Sequence, residues 1–244
     1  MLLLENVSVR YGAQVALDSF WYTFLPGHVY GLLGPNGCGK STLMKTTAGL
    51  LKNYTGNVLY CGNKIKTASR GQIAYLPTHP VYYRYMSVED MGAFYEDFFK
   101  DFDRNEYRRM ISFFGLNPTT KMTNMSTGMV AKVRVAATLS RNAGVVLLDE
   151  PLNGIDLIGQ DQVRQIIMSL PRDGRIFIIA GHMFEQMEAV CDQAVMMNAG
   201  KVLMHGDLNS LRQQYGMSVS ELYRSTYAQM LYMQQMQMMG GMPQ

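Results

Sequence analysis

The 244-residue sequence is short of cysteine, tryptophan, histidine and charge: three Cys, one Trp, four His and 17% charged residues. Cys38, Cys61 and Cys191 are widely spaced and odd in number. That excludes a CxxC metal signature and a disulfide framework, and fits reduced thiols in the cytoplasm. Basic residues exceed acidic ones only by 22 to 19. A net charge of +3 is too small to indicate nucleic acid. Two charge-free stretches, Ser19–Gly39 and Ser225–Gln244, reach the length of a membrane span. Pro26, Gly27, Gly34 and Pro35 interrupt the first, and five glutamines the second, so neither reads as a spanning helix. Met1-Leu2-Leu3-Leu4-Glu5 has no basic segment and no long apolar core, which argues against a signal peptide. A soluble chain is expected. Methionine is plentiful: 21 in all, seven of them between Met217 and Met242.

Leu2–Tyr11 and Asp18–Phe24 alternate like antiparallel strands around the turn Tyr11-Gly12-Ala13. Further strands are predicted at Gly27–Leu33, Asn57–Cys61, Gln72–Leu76, Val145–Leu148 and Ile176–Ala180, with a closing hairpin at Ala194–Asn198 and Lys201–Gly206. Helical segments are predicted at Ser41–Leu50, Asp161–Leu170 and up to about Cys191. From Ser87 to Arg141 the period is helical, with Phe94, Tyr95, Phe98, Phe99 and Phe102 on neighbouring turns. The expected fold is α/β: a mainly parallel sheet covered on both faces, with a helical insert in the middle.

Gly34-Pro35-Asn36-Gly37-Cys38-Gly39-Lys40-Ser41-Thr42 fits the phosphate-loop pattern G-x-x-x-x-G-K-[ST] in full, between a predicted strand and a predicted helix. Its glycines let backbone N–H groups turn inward on phosphate oxygens, and the helix adds its positive end. Lys40 reaches β- and γ-phosphates, and the Ser41 hydroxyl suits Mg²⁺. Cys38 lies among these amides, which are expected to favour its thiolate, while a small space-filling residue is the expectation for its normal role.

Val145-Val146-Leu147-Leu148 delivers Asp149 and Glu150 to the carboxyl edge of the sheet, where open α/β sheets bind ligands. Asp149 suits Mg²⁺, through water, and Glu150 suits polarisation of an attacking water. His182 ends the strand Ile176–Ala180 at the equivalent edge, a placement that favours a γ-phosphate contact over a structural role.

In this order, the motifs resemble the ATP-binding cassette (ABC) transporter ATPase subunits over about Leu2 to Leu211. The resemblance implies a P-loop NTPase of ABC type, with an antiparallel β subdomain and an inserted helical subdomain that docks on a membrane permease. It makes residues 1–212 the ATPase domain and 213–244 a Met- and Gln-rich helix or tail. It assigns Tyr11 to stacking on adenine and His182 to the switch position. Ser126 and Gly128 take the place of the signature that binds ATP held by the opposite subunit. Asp156, in Asn153-Gly154-Ile155-Asp156, falls in the loop that crosses the dimer interface. ATP and Mg²⁺ are the implied cofactors. A homodimer or heterodimer and a separate permease are the implied partners, with the chain peripheral on the inner face of the cell membrane. The signature and Tyr75-Leu76-Pro77 are most similar to single-domain ATPases of bacterial export systems.

Two departures stand out. The usual Leu-Ser-Gly-Gly-Gln signature reads Met125-Ser126-Thr127-Gly128-Met129, and Thr78 replaces the Gln that contacts Mg²⁺. A working ATPase slowed by about ten- to a thousandfold is expected from the loss of one positioning contact. Two other readings stay open: a slow, regulatory ATP-binding partner, and a non-transport ABC protein acting on ribosomes or DNA. The near-neutral charge and single cassette argue against the last. The tail reads as a short helix, fraying before Gly240-Gly241, with methionines on several faces. Its three readings are a flexible tail or a helix resting on its own domain or the dimer mate, a methionine surface for a partner, and soft-metal binding such as Cu(I).

Overall fold

The computed structural model describes residues 1–65, 71–79, 83–181, 185 and 188–240, with backbone alone at 233–235 and 237–240. Two sheets share one body. The smaller is antiparallel and contains β1 (Leu2–Tyr11), β2 (Gln14–Phe24), β4 (Thr55–Tyr60) and β5 (Asn63–Lys64), in the order β2-β1-β4-β5. Gly12, at φ +60°, makes the turn between its first two strands. The larger sheet contains β3 (Val29–Leu33), β6 (Ile73–Leu76), β7 (Val145–Asp149), β8 (Ile176–Ala180), β9 (Gln193–Asn198) and β10 (Lys201–Asp207). Its order is β10-β9-β3-β8-β7-β6, parallel throughout except for the β9–β10 hairpin.

Every residue of β3, β7 and β8 is buried, as expected for parallel strands covered on both faces. Alternation along them separates two cores. Leu32, Val145, Leu147 and Ile178 face β1, β2 and α1 (Lys40–Thr47). Leu33, Val146, Leu148 and Ile179 face the helices of the other layer.

That layer holds the insert: α2 (Val88–Phe98), α3 (Arg104–Phe113) and α4 (Thr127–Leu139). Its boundaries follow from capping. Ser87 and Asp90 form a reciprocal capping box, Asp103 accepts from Asn105 and Glu106, and Ser126 accepts from Met129. α5 spans Leu157–Ser169 and starts four residues before the predicted Asp161, because Asp156 caps it through the Gly159 amide at 2.7 Å. Between β8 and β9 the described residues form no α-helix, whereas one was expected up to Cys191.

After β10 come α6 (Leu208–Tyr215) and α7 (Val219–Gly240). The tail is thus one 22-residue helix, and its first turns are anchored: Val219 and Leu222 are buried in the core behind the main sheet. Glu188 holds the junction. It accepts from the Val219 amide at 3.1 Å, the Ser220 hydroxyl at 2.8 Å and Arg212 at 2.9 Å. No helix among the described residues is long and apolar enough to cross a membrane.

Burial alone would raise the Glu188 carboxyl, but the bonds from Ser220, Arg212 and Val219 together hold it below the ordinary value of 4.5. Glu188→Ala is expected to lower the unfolding free energy by about 2 kcal/mol in urea titrations at neutral pH. A depressed carboxylate stabilises the fold fully above its unfolded value and loses that contribution as pH falls through the folded value. The gap between wild type and variant should therefore narrow in acid below pH 4.5.

Candidate functional site

β3 runs straight into the loop 34–39, which is built around close approaches. A Cβ on Gly34 would press on the Cys38 sulfur and lie 2.7 Å from the Met197 carbonyl oxygen. Gly39 has φ +110° and abuts the Ala16 carbonyl. Only glycine fits either position. The Cys38 amide donates to Pro35 at 3.2 Å and its carbonyl accepts from Gly200 at 2.9 Å, closing the loop before α1 begins at Lys40. Lys40 is buried, and its Nζ donates to the carbonyls of Gly34 at 2.6 Å and Pro35 at 3.1 Å.

Cys38 corrects an expectation. Its thiol is buried, and burial pushes its pKa up, outweighing the pull of Lys40 and the loop amides. It is a space-filling thiol under Gly34 rather than a thiolate.

β7 carries Asp149 to the sheet edge, fully buried, with Oδ2 lacking any hydrogen-bond partner. A buried anionic oxygen without a donor fits a site completed by a cation or its water. Glu150 turns away at φ +55°, its amide donating to Ala180 at 2.9 Å. That left-handed backbone costs a bulky residue about 1 kcal/mol and directs the chain across the strand ends.

A cleft of about 310 Å³ brings together Tyr11, Asn36, Gly37, Gly39, Lys40, Ser41, Thr42, Thr78 and Glu150, with Gln14 and Ala16. Tyr11 stands at its rim, 50% exposed. A second cleft of about 370 Å³ lies between the main sheet and the insert and also touches Thr78 and Glu150. Asp149, Thr127, Arg134, Asn153 and Gly154 complete much of its lining.

Ser126, Gly128 and Asp156 do not line the first cleft. They sit at the amino ends of α4 and α5. A Cβ on Gly128 would lie 2.8 Å from the Gly154 carbonyl oxygen, so these two segments touch. Ser126 and Asp156 are exposed. Lys132 approaches Asp156 at 3.9 Å. His182 lies outside the described residues.

Sequence reasoning missed two side chains. Arg134, on α4, donates to the carbonyls of Pro77 and, at 3.5 Å, His79, clamping the loop that carries Thr78. Tyr75, on β6, has a buried hydroxyl without a partner. No local pattern marks Arg134. Tyr75 stood inside a noted segment, but the burial of its hydroxyl comes from packing that the segment does not report.

The sequence model of the ABC transporter family matches residues 17–153, more than half of the chain. An uncharacterized ABC transporter ATP-binding protein of Methanocaldococcus jannaschii is 29% identical over 215 residues, which is 85% of this chain and 78% of the relative. The lantibiotic transport ATP-binding protein SrtF of Streptococcus pyogenes is 28% identical over 206 residues, 84% of this chain and 90% of the relative. Among solved structures, the ATP-binding subunit of an ABC transporter superimposes with a TM-score of 0.81 at 26% identity, over 92% of this chain and 98% of that one. A dimeric ATP-binding cassette bound to ADP and phosphate shares the fold, with a TM-score of 0.75 at 19% identity over 85% and 99% of the two chains. This chain belongs to the ABC transporter family and has the fold of its ATP-binding cassettes.

Proposed function

We propose that this chain is the ATP-hydrolysing subunit of a membrane ABC transporter, closing as a dimer around two ATP to drive a separate permease. The observation that carries the reading is the first cleft, which joins a phosphate loop, an aromatic rim and the Glu150 carboxylate from the end of β7. Tyr11 stacks on adenine. Asn36, Gly37, Gly39 and Thr42 wrap the phosphates, and Lys40 exchanges the Gly34 and Pro35 carbonyls for phosphate oxygens. Pro35 and Cys38 shape the loop from below. Ser41 and Asp149, with Thr78 at the shared wall, hold Mg²⁺. The cation, when bound, neutralises phosphate charge. Glu150 orients the attacking water and accepts its proton, and His182 contacts the γ-phosphate.

Ser126 and Gly128 serve the nucleotide held by the opposite subunit, with Asp156 at the junction. The exposure of Ser126 and Asp156, and the absence of all three residues from the lining of this chain's own phosphate cleft, support that role. SrtF, a lantibiotic transport protein by name, supports a transport role. Export as the direction rests on the resemblance of the signature and of Tyr75-Leu76-Pro77 to ATPases of bacterial export systems. The permease faces the insert, which exposes an aromatic cluster. Tyr83 and Phe94 are 5.7 Å apart, Phe94 and Phe98 4.5 Å, and Tyr83 and Tyr85 5.6 Å, with Tyr85 and Phe98 each 68% exposed. Aromatics so grouped on a surface favour a protein partner. On this reading the chain lies on the inner face of the membrane, held there by the permease.

Thr78 favours a second reading, a slow or regulatory ATP-binding subunit, because its hydroxyl reaches less far into the cleft than glutamine.

Glu150→Gln should lower steady-state ATP hydrolysis by about a hundredfold or more while ATP binding persists. A wild-type rate no higher than that of the variant removes the motor reading and leaves the regulatory one. The double substitution Tyr85→Ser and Phe98→Ser should abolish co-purification of a polytopic membrane protein without changing ATP affinity. Retained co-purification would place the permease elsewhere. Ribosome or DNA co-sedimentation with no permease would overturn the transport reading altogether.

A further inference from the structure

β6 and β7 are parallel neighbours in the register Tyr75 to Leu147 and Leu76 to Leu148. Tyr75 and Leu147 belong to the core on the α1 side, whereas Leu76 and Leu148 belong to the other. Alternation puts Asp149, two residues beyond Leu147, on the same face as Tyr75. A phenol is long enough to cross that diagonal toward the sheet edge.

At the end of this diagonal lie two orphans. The Tyr75 hydroxyl and Asp149 Oδ2 are both sealed from solvent, and neither has a hydrogen-bond partner. Burial first, and the Asp149 carboxylate next, push the Tyr75 hydroxyl well above the ordinary tyrosine range. The phenol therefore keeps its proton and is a donor, and the carboxylate is an acceptor. Buried polar groups without partners are rare in native interiors, and a donor and an acceptor left over on one face are complementary to each other; the Asp149 carboxylate already acts on the Tyr75 hydroxyl as a hydrogen-bond acceptor.

We propose that Tyr75 is a positioning residue for the Asp149 carboxylate, its O–H donating to Oδ2 and so fixing the carboxylate that would serve a cation. This rests on the reading of Asp149 as a Mg²⁺-side group. Tyr75 sits three residues before Thr78, on the strand whose outgoing loop Arg134 clamps. The phenol thereby ties the carboxylate to the segment that leads to Thr78, where glutamine is lacking.

The test is Tyr75→Phe, which keeps the ring and removes the donor. Three quantities are read on the full-length chain: Mn²⁺ affinity of the ATP complex by electron paramagnetic resonance, ATP affinity in EDTA, and the melting temperature without nucleotide. Loss of a hydrogen bond to a charged group predicts Mn²⁺ binding weaker by roughly tenfold or more, with the other two unchanged. In an Asp149→Asn background the substitution should add nothing. Unchanged Mn²⁺ affinity overturns the inference. So does a parallel loss of melting temperature and metal-free ATP affinity, since that is the signature of a packing role. Failure of the wild type to bind Mn²⁺ with ATP would instead refute the nucleotide-site reading itself, and the inference with it.

Discussion

The phosphate loop holds its shape because the β9–β10 turn is pressed against it, backbone to backbone. The Met197 carbonyl occupies the space a side chain at Gly34 would need, and the Gly200 amide donates to the Cys38 carbonyl at 2.9 Å. Gly200 in turn packs on β2: a Cβ there would lie 2.7 Å from the Leu17 Cα, and its carbonyl accepts from Asp18 at 3.1 Å. Three segments distant in sequence meet where only glycine fits. Their contact makes the shape of the loop depend on both sheets. It also leaves the loop amides oriented before any phosphate arrives, so little reorganisation accompanies binding.

α7 bears on the same point from outside. Tyr227 donates to the Met197 carbonyl, its ring stacks on Tyr223 at 4.6 Å, and Asn198 donates to the Met230 sulfur at 3.9 Å. The first half of the Met-rich helix therefore rests on the chain's own body, behind the loop. Farther along, Leu231, Tyr232 and Met236 are exposed. Among the described side chains of this helix, Met230 belongs to the brace and Met236 is exposed. Flexible thioethers suit both, since they adapt to irregular contacts without a fixed shape.

How much of this was legible depended on the range of the interactions. The loop 34–42 could be read because its glycines, lysine and hydroxyls are consecutive and their roles are local. Buried strands such as Val145–Asp149 and Ile176–Ala180 could be read because burial on both faces leaves an unbroken apolar run. Helix starts were less accessible: α5 begins at Leu157 because of the Asp156 cap, and Leu157 and Ile158 are exposed where a core stripe would be sought. The state of Cys38 was misjudged because the amides around it are visible in sequence, whereas the burial that outweighs them comes from packing. Arg134 and Tyr75 escaped notice for a related reason. Arg134 bonds carbonyls of another element, and the sealed Tyr75 hydroxyl is a product of packing between strands; no spacing within one segment reports either.

The two clefts share a wall made by Thr78 and Glu150. On one side is the phosphate loop; on the other, α4 and the Asn153-Gly154 turn. Arg134 holds the carbonyls of Pro77 and His79, so a shift of the insert against the main sheet pulls on both sides of Thr78. Glu150, at φ +55°, is attached to β8 through its amide and followed by the turn that Gly128 touches. The insert and the carboxylate are therefore linked through short, directional backbone contacts rather than through a deformable apolar layer. In that arrangement a threonine at position 78 shortens the reach into the phosphate cleft but leaves the mechanical link of its loop to α4 intact.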